Sequence, residues 1–174
     1  LNLLKTYLSP PKEALRAAEF GVECGAEGVY VVDSAGGLRP DEVANYIGTI
    51  RRKLDVDIGF HGHDNIGTGL QNTVTAIESG ASLVDSSILG IGRSAGNVPT
   101  EHVLGYLAEE DDRWEPDWDH VAEIEAVISD IYPGEGRIRA KDVLYGRAKL
   151  HSSIEEGLRA LAAEHDMSLI EVLE

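Results

Sequence analysis

This chain is poor in cysteine, in aromatic residues and in positive charge. A single cysteine, Cys24, among 174 residues excludes an internal disulfide and points to a reducing, cytoplasmic setting. No apolar run approaches the roughly 18 residues of a membrane-spanning helix. The first residues lack the pattern of a secretion signal. Lys and Arg together number 15 against 31 Asp and Glu, a formal net charge of −16. A surface of that sign repels phosphates and anionic lipid, which argues against nucleic-acid or membrane partners. The 43% apolar content is ordinary and suffices for a core. The chain opens on an apolar run without an initiator Met, the expectation for a piece of something longer.

What is present is a repeated grammar of strand then helix. The expected strands are Asn2–Tyr7, Gly28–Asp33, a run ending at His61, and Leu83–Ile88. The expected helices run from Pro11 to about Cys24, from Pro40 to about Leu54, from Gly67 to Ser79, and from Val98 to Glu109. The β-branched run Val29 to Val32 suits a parallel strand. Alternation of this kind specifies an α/β fold. The charge run Glu109 to Arg113 reads as a solvated linker, and beyond it the pattern is helical. One helix is expected over Asp119–Ile131, broken by Pro133-Gly134-Glu135-Gly136. A long helix is expected over Lys141–His165, with interruptions near Gly146 or Gly157, and another from Ser168.

The chemistry-bearing residues gather at strand C-terminal ends, where α/β folds keep their active sites. His61-Gly62-His63 follows the apolar run Val56 to Phe60. Residues i and i+2 of a strand share a face, so the two imidazoles project together. Such a pair binds a divalent cation, or is simply a pair of hydrogen-bonded surface histidines. Asp33-Ser34-Ala35-Gly36-Gly37 offers a hydroxyl and backbone amides to a small carboxylate, or caps the next helix. The loop Gly90 to Asn97 has neither the dinucleotide nor the P-loop spacing. It reads as a close-packed turn in which Asn97 offers an amide oxygen or caps a helix. Lys5 could form a Schiff base, although a salt-bridged or solvated lysine is the commoner state. His151 stands on the face of the tail helix.

Together Phe60-His61-Gly62-His63-Asp64-Asn65, Val84-Asp85-Ser86-Ser87, Gly90-x-Gly92 and Ala95-Gly96-Asn97-x-Pro99-Thr100-Glu101 resemble the metal-dependent HMG-CoA lyase-like TIM-barrel superfamily. Tyr30 to Gly37 with Pro40, and the tail Leu144 to Glu174, are similar to its 4-hydroxy-2-oxovalerate aldolase branch. The resemblance implies that residues 1–110 are the C-terminal half of a TIM barrel, about four βα units, and 111–174 a helical C-terminal extension. It implies a divalent ion, Mn²⁺ or Mg²⁺, on His61 and His63, with Asn97 a weaker ligand or a support. Ser34 and Asp33 would bind substrate. His151 would move a proton, standing where those aldolases have a tyrosine before two serines.

The implied reaction is that of a carbon–carbon lyase, cleaving a 4-hydroxy-2-oxo acid to pyruvate and an aldehyde in aromatic-compound catabolism. An acylating aldehyde dehydrogenase is an implied partner. The superfamily's first strand carries an Arg-Asp pair whose Asp is a third metal ligand. No strand here ends in that pair, and Asp112-Arg113 has the reverse order. The expectation is therefore a half-enzyme, inactive alone, whose other half is truncated away or supplied by a second chain. The rival readings are an HMG-CoA lyase or acetyl-CoA-condensing synthase of the same superfamily, and a non-catalytic half-barrel binding or assembly module.

Overall fold

The computed structural model describes residues 1–133 and 140–173. Four strands, β1 (Asn2–Leu3), β2 (Gly28–Asp33), β3 (Asp57–Gly62) and β4 (Leu83–Val84), form one parallel sheet in the order β1-β2-β3-β4. Helices α1 (Pro11–Glu23), α2 (Pro40–Arg51) and α3 (Gly69–Glu78) connect successive strands, and α4 (Thr100–Glu110) follows β4. Pro11 and Pro40 occupy first-turn positions, where a missing N–H costs nothing.

The parity of β2 and β3 divides their side chains between two faces. Val29, Val31, Ile58 and Phe60 are fully buried against Ala18, Val43, Ile47, Ile50 and Ala76 of the helices. The opposite face carries Tyr30 and Val32 on β2, beside Gly59 and His61 on β3. Gly59 lacks a side chain where the Tyr30 ring crosses it, so the aromatic ring lies over the neighbouring strand. The helices therefore cover one face, and His61 is turned to the other.

Several expected boundaries moved. The first strand stops at Leu3 because Lys5 takes a left-handed conformation, φ 55°, and Thr6–Leu8 form a 3-10 turn. β4 stops at Val84, and the chain turns through a loop with Leu89 (φ 55°) and Ser94 (φ 62°) left-handed. The fourth helix begins at Thr100, since Pro99 holds the extended conformation that precedes it. It runs on to Glu110, and a 3-10 turn covers Asp112–Trp114, so most of the expected acidic linker has regular structure.

After α5 (Trp118–Ile131) come α6 (Ala140–Arg147), α7 (Glu155–Glu164) and α8 (Leu169–Leu173). The expected break at Pro133-Gly134-Glu135-Gly136 lies, beyond Pro133, outside the described residues. The helical stretch expected over Lys141–His165 is interrupted next to Gly146, where α6 ends at Arg147, and runs unbroken through Gly157. Lys149 turns left-handed (φ 52°), and its ammonium pairs with Glu42 of α2. A 3-10 turn, Ser152–Ile154, then starts α7. His151 is consequently the residue that caps this turn, not a residue on a helix face.

α6 seats on the loops that follow β2 and β3. Gly146 packs against Gly37, Asn65 and Ile66: a side chain at Gly37 would strike the Gly146 backbone, and one at Gly146 would strike the side chains of Asn65 and Ile66. Asn65 donates to the Asp142 carbonyl and to Ser94 Oγ, each at 2.8 Å, and Ser94 Oγ donates to Asp142 Oδ1 at 2.9 Å. These bonds join α6 to the loops after β3 and β4 and bring the next residues, up to His151, across the sheet's C-terminal edge.

Candidate active site

At that edge lies a cleft of about 400 Å³, lined by Asn2, Leu4, Val32, Ser34, His61, His63, Asp85, Arg93 and His151. His61 is the penultimate residue of β3. His63 lies just beyond it, paired with Asn97 in an antiparallel bridge. The two rings stand edge to face with centroids 5.3 Å apart.

Each ring is held through Nδ1. That of His61 lies 3.2 Å from Asp85 Oδ2, and that of His63 lies 3.2 Å from the Arg93 carbonyl. A carbonyl and a carboxylate only accept, so both Nδ1 atoms carry the hydrogen. Nε2 is left as the lone-pair atom on each ring, the tautomer that a metal-ligating histidine needs. Burial, with His61 beside it, pushes the His63 pKa down to about 4, so that ring is neutral at physiological pH.

His151 has the opposite tautomer. Its Nδ1 accepts from the Ser153 backbone N–H at 3.1 Å and lies 2.8 Å from Ser153 Oγ. The hydrogen must therefore sit on Nε2. Burial, reinforced by the charges of Arg93 and Lys5, holds its pKa below the ordinary imidazole value. Neutral His151 offers the cleft a hydrogen-bond donor. It cannot act as a base at Nε2, because that atom already bears its proton.

Ser34 opens to the cleft, its Oγ accepting from the Lys5 backbone N–H at 3.0 Å. That leaves the Ser34 hydroxyl hydrogen for another acceptor. Asp33 does not line the cleft. It is completely buried, and its carboxylate accepts from Gly37 N at 3.2 Å and Leu38 N at 2.9 Å. Burial raises its pKa against the opposing pull of these amides. The residue braces the loop that presents Ser34, and it does not cap α2, whose cap is Arg39. Asp33→Ala should leave two buried amides without acceptors, at about 1–3 kcal/mol each. Urea unfolding should show a lowered midpoint for Asp33→Ala and a smaller loss for Asp33→Asn; equal midpoints for parent and Asp33→Ala would remove this role.

Asn97 supports the loop after β4, donating from Nδ2 to the Ile91 carbonyl at 3.1 Å. Its Oδ1 is buried with no hydrogen-bond partner among the described residues. An orphaned acceptor next to the His63 bridge fits a cation or a cation-bound water there. Asn97 does not itself line the cleft, so the two lone-pair imidazoles there are a suitable, but partial, donor set for a divalent ion. Among the described residues no group of three or more His, Cys, Asp and Glu side chains assembles to hold one.

Of the lining residues, Asp85 stands among the polar residues that the sequence places at strand C-terminal ends, though without a stated role, whereas Arg93 carries no such mark. The register carried a signal for Asp85, since Val84 pairs with Phe60 and the next residues, Asp85 and His61, then fall side by side. Arg93 had only the oddity of a long cation inside a glycine-rich loop.

The parallel α/β sheet with a histidine pair and a small polar cleft at its strand ends defines a class: βα units of the TIM-barrel type. The HMGL-like family model matches residues 5–128, and the chain belongs to that family. It is 35% identical over 152 residues to a 4-hydroxy-2-oxovalerate aldolase of Bacillus thuringiensis (strain Al Hakam), covering 87% of this chain and 45% of the relative. Against the enzyme of that name from Geobacillus stearothermophilus the identity is 31% over 172 residues, covering 98% and 50%. The crystal structure of the N-terminal domain of a protein assigned as an aldolase, from Bacteroides vulgatus, superposes with a TM-score of 0.67 at 31% identity, over 79% of this chain and 45% of that one. The chain thus spans about half the length of the curated relatives it matches. Its sheet and first four helices are half of a TIM barrel, and the helices after them form the all-helical extension.

Proposed function

We propose that the cleft belongs to a divalent-metal-dependent aldolase that cleaves a 4-hydroxy-2-oxo acid to pyruvate and an aldehyde. The observation that carries this reading is the pair of Nδ1-anchored imidazoles with Nε2 lone pairs, in one small cleft with the Ser34 hydroxyl and the Nε2–H of His151. The aldolase names of the relatives support it.

His61 and His63 would hold the ion, with Asn97 Oδ1 supporting it directly or through water. Asp85 and the Arg93 carbonyl fix the ring orientations. When bound, the ion, Mn²⁺ or Mg²⁺, would supply Lewis-acid stabilisation of charge developing on the 2-oxo group. Ser34 donates to a carboxylate oxygen of the substrate. His151 donates from Nε2 to the C4 oxygen as negative charge gathers on it. The C4 hydroxyl proton passes to solvent water, the C4–O bond becomes the aldehyde carbonyl, and the C3–C4 bond breaks with its electron pair passing to C3. C3 takes an equivalent proton back from solvent, which gives pyruvate. The donor set among the described residues is incomplete for a hard cation, so we assign the remaining ligands to another part of the enzyme or to a complementary chain. The isolated chain should then bind Mn²⁺ weakly and be inactive. A cytoplasmic role in aromatic-compound breakdown, beside an acylating aldehyde dehydrogenase, belongs to the same reading.

Pyruvate release from 4-hydroxy-2-oxopentanoate by the full-length protein, with and without Mn²⁺, tests the assignment. Cleavage that needs the ion supports it. Tight Mn²⁺ binding and turnover by these residues alone would refute the half-enzyme reading, and no cleavage of this or of the dicarboxylic 4-hydroxy-2-oxo acid at any metal concentration would refute the aldolase.

A further inference from the structure

Arg93 has a role that the cleavage chemistry above does not use. Its carbonyl holds His63, the residue lines the same cleft as Ser34, His61 and His151, and its charge acts on the His151 ring. Among the described residues its guanidinium enters no ion pair, and neither does the Lys5 ammonium. Asp85 is the one carboxylate in the lining, and it faces His61. In a chain of net charge −16, two uncommitted cations beside one small cleft are out of character.

The two cations belong to the side of the cleft where His151 stands. Lys5 is fixed at the rim through its backbone bond to Ser34, and the charges of Arg93 and Lys5 both reach the His151 ring. The 2-oxo acid head would take the Ser34 hydroxyl and the ion on the paired imidazoles. The C4 oxygen then falls at His151, and the substituent on C4 falls by Arg93. An alkyl substituent there would strip water from a guanidinium and give nothing back. A carboxylate would match the guanidinium's paired donors.

We propose that Arg93, with Lys5 in support, selects substrates bearing a second carboxylate on C4, so that the substrate class is the 4-hydroxy-2-oxo dicarboxylic acids. This rests on the aldolase reading. Cleavage of the simplest member, 4-hydroxy-2-oxopentanedioate, breaks C3–C4 and yields pyruvate and glyoxylate, with the C4 hydroxyl proton balanced by the proton gained at C3. No redox partner is needed.

Two measurements on the full-length protein with Mn²⁺ separate this idea from the reading beneath it. The first is calorimetric binding of 2-oxoglutarate and of 2-oxopentanoate, which lack the 4-hydroxyl and differ at the terminal carboxylate. Parent protein should prefer 2-oxoglutarate by about 10²-fold, the scale of one charge-assisted bidentate contact. Arg93→Ala should collapse that ratio towards one, and Arg93→Lys should keep part of it. The second is pyruvate release from 4-hydroxy-2-oxopentanedioate and 4-hydroxy-2-oxopentanoate, where the ratio of kcat/KM should follow the binding ratio, chiefly through KM. Equal binding of the two oxo acids by the parent, or a ratio unmoved by Arg93→Ala, overturns the proposal whatever the turnover. A binding preference that Arg93→Ala removes, with neither hydroxy acid cleaved, upholds selection of a dianion by Arg93 and overturns the aldolase reading.

Discussion

His61→Ala or His63→Ala in the full-length protein should abolish measurable turnover and weaken Mn²⁺ binding by more than the ~10–100-fold that loss of an outer-shell partner costs. Each substitution removes one of the two Nε2 lone pairs that the fold presents together. Neither ring is central to the apolar core, and His61 is only partly buried. The unfolding midpoint should therefore move little compared with the loss of metal. Asp85→Asn supplies the graded control. It weakens the acceptor that orients His61 without deleting a ligand, and its cost should stay within that ~10–100-fold range. Calorimetric titration of Mn²⁺ into the three variants reads this order directly. Unchanged affinity in His63→Ala would show that the ion, if there is one, lies elsewhere.

His151→Ala should lower kcat by about 10²–10³-fold, as expected for loss of one donor to a developing oxyanion, with Mn²⁺ affinity kept. The tautomer makes a sharper test available. If His151 acts as a donor from Nε2, His151→Gln and His151→Tyr retain an N–H or O–H and should recover part of the loss. If it instead exchanges a proton as an acid–base group, Gln should be as poor as Ala. The pH profile should agree. Its pKa is lowered by burial and by the charges of Arg93 and Lys5, so His151 takes up its second proton at a lower pH than an ordinary imidazole. That protonation places a hydrogen on Nδ1 and breaks the bond from Ser153 N. The acid limb attributable to His151 should therefore lie below the ordinary imidazole pKa and vanish in His151→Gln.

The sequence by itself determined the strand–helix alternation, the parallel sheet and the shared face of His61 and His63. These are consequences of local periodicity. A β-branched run is extended whatever surrounds it, and residues two apart on a strand face one way. Prolines 11 and 40 set helix starts for equally local reasons. Tertiary structure decided the rest, because each remaining feature depends on which segments meet. Asp33 appears from sequence as a polar residue at a strand end, yet two loop amides claim its carboxylate and bury it, leaving Ser34 alone in the cleft. Helical periodicity continues through residues 141–165, but the ion pair of Lys149 with Glu42 and the seating of Gly146 on Gly37 break it at Lys149. That break is what carries His151 to the cleft and turns it into a cap. The tautomers of all three histidines, and the place of Arg93 among them, follow from acceptors and donors contributed by separate loops. Such pairings are distant along the chain, and no local pattern encodes them; only folding brings the partners within hydrogen-bond reach.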